Sequence, residues 1–398
     1  MLRILLDIGV LGLITSTAFI LLTIGGLLRF LRERPARPTP SFAPPVSLLK
    51  PLHGAEQDLE AHLETFFRQN YPSFEILFCA RSADDAGIAI ARRVAGRFPS
   101  VPVRFFFTGP GPYINAKVSS LELMEAHAQH DILIISDSDV RVTTGYIREV
   151  VAPFVESTVG AVTCLYRGVP NGSLWSRLEA AGMSVEMTSG VLTASLLEGM
   201  RFALGPTMAV RRECVRAMGG FGVLGPYCSD DFLLGANVAA QGSTVVLSHH
   251  VIDHIILNLS FFASLQHQTR WMRSTRFSRP LGHLGTALTF SIPFGIFASA
   301  AAVGLHEPRL AAGLLAYSIA QRMILAALVG GLAVQERHLL RTIVLYPLRD
   351  LLGFLCWVAS YAGSTVLWRG CRYRLSRGGL MHSIDVSPHG KSESAVTT

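Results

Sequence analysis

Residues 131–141 read Asp-Ile-Leu-Ile-Ile-Ser-Asp-Ser-Asp-Val-Arg, a short apolar run ending in two carboxylates. Asp137 and Asp139 stand at i and i+2. Hard oxygen donors this close suit Mg2+ or Mn2+, and such an ion can clamp phosphate oxygens. The competing reading is a solvated turn, since Asp and Ser are common turn formers. Three other clusters could join this chemistry. Asp84-Asp85 is either a helix N-cap or an acid that accepts hydrogen bonds from a nucleobase or ribose. Asp230-Asp231 is again an N-cap, or a carboxylate placed to deprotonate an acceptor hydroxyl. The stretch 266–276, Gln-His-Gln-Thr-Arg-Trp-Met-Arg-Ser-Thr-Arg, repeats Arg270, Arg273 and Arg276 along one helical face. That face suits bidentate phosphate binding beside the flat wall of Trp271, or rests on anionic lipid.

These side chains need a scaffold. Residues 132–135 are apolar without alternation, which predicts a strand buried on both faces of a parallel sheet. Short apolar strands at 46–49, 74–79 and 103–107 alternate with amphipathic helices at 59–68, 88–98 and 118–127. Segments 146–155 and 159–164 extend the series. Such alternation implies an α/β domain with a mainly parallel sheet and helices on both faces. Its ligand crevice lies off the carboxyl ends of the strands, where Asp85, Asp137 and Asp139 fall.

Composition adds a membrane. Half of the 398 residues are hydrophobic, 16% are charged, and mean hydropathy is +0.39. This is too apolar for an ordinary soluble enzyme. The net charge of +7 rests on Arg, since Lys50, Lys117 and Lys391 are the only lysines. It fits a membrane surface and an anionic substrate; with no basic run interleaved with aromatics, nucleic acid is not expected. The six scattered cysteines lack zinc spacing and read as small buried hydrophobes in a reducing compartment.

Residues 4–28 are long enough to span a bilayer, and the basic flank after them places that end in the cytosol. Residues 35–45 read as an extended Pro-rich linker. The apolar stretch 175–204 is bracketed by Glu186, Glu198 and Arg201. It predicts a helix at the membrane interface, with Val191, Leu192 and Leu196 lining a lipid path. Residues 284–303 and 310–332 predict a spanning hairpin, whose Arg322 must face protein or the active site. Residues 351–367, preceded by Pro347, Arg349 and Asp350, predict an interfacial or re-entrant element. A full span there would leave the Arg-rich segment after 368 outside.

The motifs together resemble the inverting GT-A glycosyltransferases, most closely ceramide glucosyltransferases. Ser47-Leu48-Leu49-Lys50-Pro51-Leu52 matches that family's opening motif, residues 63–67 its Leu-Glu-Thr-Phe-Phe, and Tyr71-Pro72 its Tyr-Pro. Asn115-Ala116-Lys117 matches its Asn-x-Lys turn. Residues 368–379 match its closing Trp-Arg-x-x-Arg-Tyr-Arg-Leu-x-x-Gly-Gly. Two positions depart: His267 stands where the family usually has Gln or Arg, and Asp139 where some ceramide enzymes have Gly.

The resemblance implies a Rossmann-like GT-A domain at 46–279, an anchor at 1–30 and a linker at 31–45. A membrane region at 280–370 and a basic, then disordered, cytosolic tail at 371–398 complete the chain. It implies glucose transfer from UDP-glucose to ceramide with inversion. Asp231 would be the base, with Arg270 and Trp271 at the leaving diphosphate and acceptor mouth. Lys50, Asp85, Lys117, Asp137 and Arg270 would hold the nucleotide, and Asp137 with Asp139 a Mg2+ or Mn2+ ion. The protein would be integral to a membrane, the bacterial inner membrane for a bacterial-type member, with its catalytic domain in the cytosol. Hopanoid glycosyltransferases, using donors such as UDP-GlcNAc, share this resemblance and keep a second lipid acceptor open. A polysaccharide synthase would need more spans, and a non-catalytic scaffold would not need this intact set of side chains. No residue pattern fixes an oligomeric state.

Overall fold

The computed structural model describes residues 1–33, 42–258, 260–368 and 370–384. Most of the Pro-rich linker and the tail beyond residue 384 lie outside these residues.

Helix α1 (Leu2–Arg32) leads into alternating strands and helices: β1 (Val46–Pro51), α2 (Leu59–Phe67), β2 (Phe74–Ala80), α3 (Ala86–Gly96), β3 (Val103–Phe107), α4 (Ala116–His127) and β4 (Ile132–Ser136). The short β5 (Val140–Arg141), α5 (Tyr146–Val151) and the long β6 (Val159–Pro170) follow. Next come α6 (Leu174–Ala181), a wide π turn at 182–187, α7 (Thr188–Glu198), β7 (Thr207–Arg211), α8 (Arg212–Ala217), α9 (Asp230–Ala240), β8 (Thr244–Ile256) and α10 (Phe261–Ser278).

Eight strands form one sheet in the order β3-β2-β1-β4-β7-β6-β8-β5. The β3-β2-β1-β4 half is wholly parallel, while β7 runs antiparallel to both β4 and β6. The unalternating strands are explained by two cores. Ile132 and Ile134 enter one, Leu133 and Ile135 the other, and the neighbouring β1 and β2 divide their side chains in the same way. Because β1 lies between β2 and β4, the connections after β1 and β4 diverge at this switch point and open a crevice.

The C-terminal helical part is α11 (Pro280–Thr286), α12 (Ile292–Gly304), α13 (Pro308–Leu325) continuing as a π turn to 333, and α14 (Leu339–Ser360). Helices α1, α13 with its π turn, and α14 are each long and apolar enough to cross a bilayer. The span expected at 284–303 is instead broken, α11 meeting α12 at 49°. The cause is Asp350, whose carboxylate accepts from Ser291 N at 2.9 Å and Ile292 N at 2.8 Å and so caps a new helix. Arg322, 1% exposed, faces protein: it donates to Asp350 at 3.2 Å, Thr289 O at 3.1 Å and Ser16 Oγ at 2.6 Å. This one pair fastens α1, α12, α13 and α14 together. Removing one partner of a buried pair leaves a stranded charge, so Asp350→Ala should cost about 3–5 kcal/mol. Thermal unfolding in detergent would read this as a clearly lowered midpoint.

The element expected at 351–367 is helix α14 only to Ser360; residues 365–367 belong to a strand. Its buried face carries Thr342, Tyr346, Arg349 and Asp350, while Leu340, Val344, Leu348 and Leu355 form an exposed stripe. Helix α1 buries a stripe of small residues including Gly9, Gly12, Ser16, Thr23 and Gly26. Close helix approach needs such residues. A Cβ on Gly26 would lie 2.3 Å from Leu192 O, and Thr23 bonds Thr193 at 3.0 Å. The expectation for α7 is corrected by this contact. Leu192 is 1% exposed and Leu196 sits beside Gly25, so both pack on α1 instead of lining a lipid path.

The basic segment at 371–383 is folded. Strands β9 (Thr365–Trp368), β10 (Cys371–Ser376) and β11 (Leu380–Ser383) form a small antiparallel sheet. Met381 N donates to Pro226 O at 2.8 Å and Cys228 N to Gly379 O at 3.0 Å, docking it on the α/β domain.

Candidate active site

A cavity of 760 Å³ opens off the carboxyl ends of β1 and β4. Lys117, Asp137, Asp139, Asp231, Arg270 and Trp271 all line it, so residues far apart in sequence meet in one crevice. Lys50 and Asp85 are not among its lining residues.

Asp137 and Asp139 leave β4 with different partners. The Lys117 ammonium lies 2.7 Å from Asp137 Oδ1 and 3.8 Å from Asp230 Oδ2, bridging the two carboxylates. Burial opposes the charge on Lys117, yet Asp137 and Asp230 outweigh it and raise its pKa. Lys117 is placed by Asn115, whose side chain caps α4 by accepting from Lys117 N and Val118 N. The same side chain donates to Asp230 Oδ1 at 3.2 Å. Asp139 Oδ2 lies 3.1 Å from His254 Nε2 on β8. Burial pushes the Asp139 carboxyl up, but His254 and Lys50 hold it well below the usual range; His254 is raised in return.

The donor set was tested against a divalent cation. Asp139 Oδ1 and His254 Nδ1 are buried without a hydrogen-bond partner. Among the described residues there is no group of three or more His, Cys, Asp or Glu arranged for a metal. An orphaned carboxylate oxygen with only partial protein ligation fits an ion that takes its other ligands from a diphosphate and water, as Mg2+ commonly does. Sequence reasoning missed His254, which looks like any strand histidine until β8 pairs with β5 beside Asp139.

Asp231 is the second residue of α9 and lines the cavity. Its carboxylate accepts from Gly205 N at 2.8 Å and Phe232 N at 2.8 Å. Burial raises its pKa to about 6, with Asp230 adding to the rise and Lys117 opposing it. Such a group is a base at neutral pH and near its optimum for proton transfer.

Lys50 is fully buried beneath the site. It donates to Asp137 O at 2.6 Å and lies 3.7 Å from the Phe66 ring centroid. Burial lowers its pKa to about 7 despite the pull of Asp137 and Asp139. It therefore positions the Asp137 backbone. Lys50→Met should weaken UDP binding roughly tenfold through loss of this one bond, with the fold retained; isothermal titration would measure it. Asp85 caps α3, accepting from Gly87 N at 2.8 Å, and clasps Gly54 N at 2.9 Å, at the rim next to His53. The N-cap reading of this residue is therefore met, its carboxylate being taken up by the Gly54 and Gly87 N–H groups.

The arginine face of α10 divides. Arg270 lines the cavity, its guanidinium 5.9 Å from the Trp368 ring centroid. Arg273 donates to Ala362 O and Thr365 O, and Arg276 to Ser360 O and Gly363 O. These two fasten the end of α14 and the C-terminal sheet and are committed away from phosphate. His267 is held by a residue not singled out in sequence, the buried Glu179, at 2.6 Å; its ring lies tilted against Trp271, with centroids 4.3 Å apart.

The profile of Glycosyl transferase family 21 matches residues 10–381. The chain belongs to this family, the ceramide glucosyltransferase family. Ceramide glucosyltransferase 3 of Caenorhabditis elegans is 24% identical over 250 residues, 58% of this chain and 51% of that protein. The ceramide glucosyltransferase of Komagataella phaffii is 32% identical over 121 residues, 28% of this chain and 23% of that one. The chain thus spans about half the length of the first of these relatives and less of the second. A mannosyltransferase from Pyrobaculum calidifontis, in complex with GDP-Man and Mn2+, shares the fold. Its TM-score is 0.52 at 17% identity, covering 89% of this chain and 99% of that one. This family 21 member has a GT-A-like mixed sheet and, near both ends, helices long and apolar enough to span a membrane.

Proposed function

We propose that the chain transfers glucose from UDP-glucose to the primary hydroxyl of ceramide, with inversion, giving glucosylceramide. The observation that carries this is Asp231, held by two backbone N–H groups in one cavity with Asp139, Lys117 and Arg270. The names of the family 21 relatives support the choice of acceptor.

The acceptor hydroxyl gives its proton to an Asp231 carboxylate oxygen as its own oxygen bonds to the sugar's anomeric carbon. The bond from that carbon to the diphosphate breaks in the same displacement, and UDP leaves with the electron pair. A Mg2+ or Mn2+ ion held by Asp139, which His254 orients, would neutralise charge on the diphosphate. Lys117 and Arg270 add fixed positive charge on the same cavity wall, and Asp137 is kept in place by Lys117 and Lys50. In this reading the long apolar helices α1, α13 and α14 anchor the domain, so that a membrane-bound hydroxyl meets a water-soluble donor at the bilayer surface.

The test is transfer by the purified full chain in mixed micelles, with UDP-glucose and UDP-GlcNAc as donors and ceramide and a hopanoid polyol as acceptors. Glucosylceramide as main product supports the reading. Transfer only to the hopanoid moves the acceptor, and no transfer from either donor ends it.

A further inference from the structure

A second cavity, of 990 Å³, lies against the catalytic one. Phe202, Phe232 and Arg279 line both, so these three residues are the partition between them. Phe202 and Phe232 stack at 6.5 Å, and the Arg279 guanidinium sits 5.2 Å from the Phe232 ring centroid. Asp231 is bonded to the backbone of Phe232, placing the base directly behind the partition. The far wall is the end of α1, including Gly26 and Phe30, where this helix leaves its apolar span for the basic flank at Arg29 and Arg32.

Exposed leucines lie beside one edge of the second cavity. Arg279 reaches Glu198, the last residue of α7, at 3.0 Å. The residues flanking this ion pair are apolar and turned outward: Leu197 is 62% exposed, Leu281 84%, Leu284 57% and Leu288 52%. Leucines repeating at 281, 284 and 288 on a helix after the catalytic domain would prefer acyl chains to water. The bridge between them is substantially exposed, and such ion pairs hold weakly and part at little cost.

We infer that the second cavity seats the lipid acceptor, which enters from the bilayer between Leu197 and Leu281 under the Glu198–Arg279 bridge. The acceptor's hydroxyl then passes the Phe202–Phe232 pair to reach Asp231, while UDP-sugar enters the first cavity from water. This rests on the proposed lipid acceptor and adds its route. It also explains why α7 presents Leu192 and Leu196 to α1: the opposite edge of the helix, at Leu197 and Glu198, faces the route.

The test is photolabelling of the full chain in phosphatidylcholine nanodiscs with a ceramide bearing a diazirine in its acyl chain, transfer being measured in the same sample. Labels should concentrate in 197–202 and 279–288. Transfer with labels confined to α14 and the β9–β11 sheet overturns the route but leaves the function standing; absence of transfer overturns both. As a second readout, Leu281→Asp and Leu284→Asp should each raise the acceptor KM roughly tenfold, because a carboxylate beside acyl chains is costly. The KM for UDP-glucose should stay within about twofold. Equal increases in both constants would overturn the route.

Discussion

Asp231→Asn should lower turnover by roughly 10²–10⁴-fold while leaving UDP-glucose binding close to that of the unaltered chain. The amide can still accept from Gly205 N and Phe232 N through its oxygen, so the local backbone keeps its bonds. What is lost is a cavity carboxylate held at about 6 by burial and a like-charged neighbour. The sign of the pH dependence follows. A base works when deprotonated, so kcat/KM should be flat above pH 6 and fall as pH drops through it. Asp230→Asn removes the neighbour's charge, which should shift that inflection downward and leave turnover far higher than in Asp231→Asn. A stopped assay of labelled lipid product across pH 5–8 checks all three. Near-unaltered turnover in Asp231→Asn would mean that another group takes the proton.

The second large effect is expected from removing the cation. Excess EDTA, or Asp139→Ala, should cut transfer by roughly 10²–10³-fold, since a cation supplies several kcal/mol of charge stabilisation at a departing diphosphate. His254→Ala should raise the Mn2+ concentration needed for half-maximal rate, because it removes the group that orients Asp139 at 3.1 Å. Mn2+ titration of the rate, and of UDP binding by calorimetry, separates these outcomes. Full activity in excess EDTA would leave Lys117 and Arg270 as the cations that neutralise UDP.

Much of this site was legible in the residues. The run at 132–135 announced a doubly buried strand, and both aspartates lie at its carboxyl end because a parallel sheet directs its loops there. The helix and strand periods of 46–127 reproduce the observed elements to within a few residues at their ends. Long-range partners were not legible. Nothing in sequence pairs Asp139 with His254, 115 residues away, or Glu179 with His267, 88 residues away. The role of Lys50 was hidden for the same reason: a motif lysine reads as a ligand until its ammonium is seen beneath the strand. In the membrane region hydropathy gave the apolar runs but could not reveal that Asp350, on a later helix, would cap Ile292 and break one of them. Likewise the arginines at 273 and 276 share a helical period with Arg270, yet the carbonyls at the end of α14 claim them.

The central claim is a single displacement at the anomeric carbon by a lipid hydroxyl activated by Asp231. Its most direct test is the anomeric configuration of the lipid product made from UDP-glucose, read from the anomeric proton coupling by NMR. Starting from the α-linked donor, the account predicts β-glucosylceramide alone; an α-linked product would contradict it.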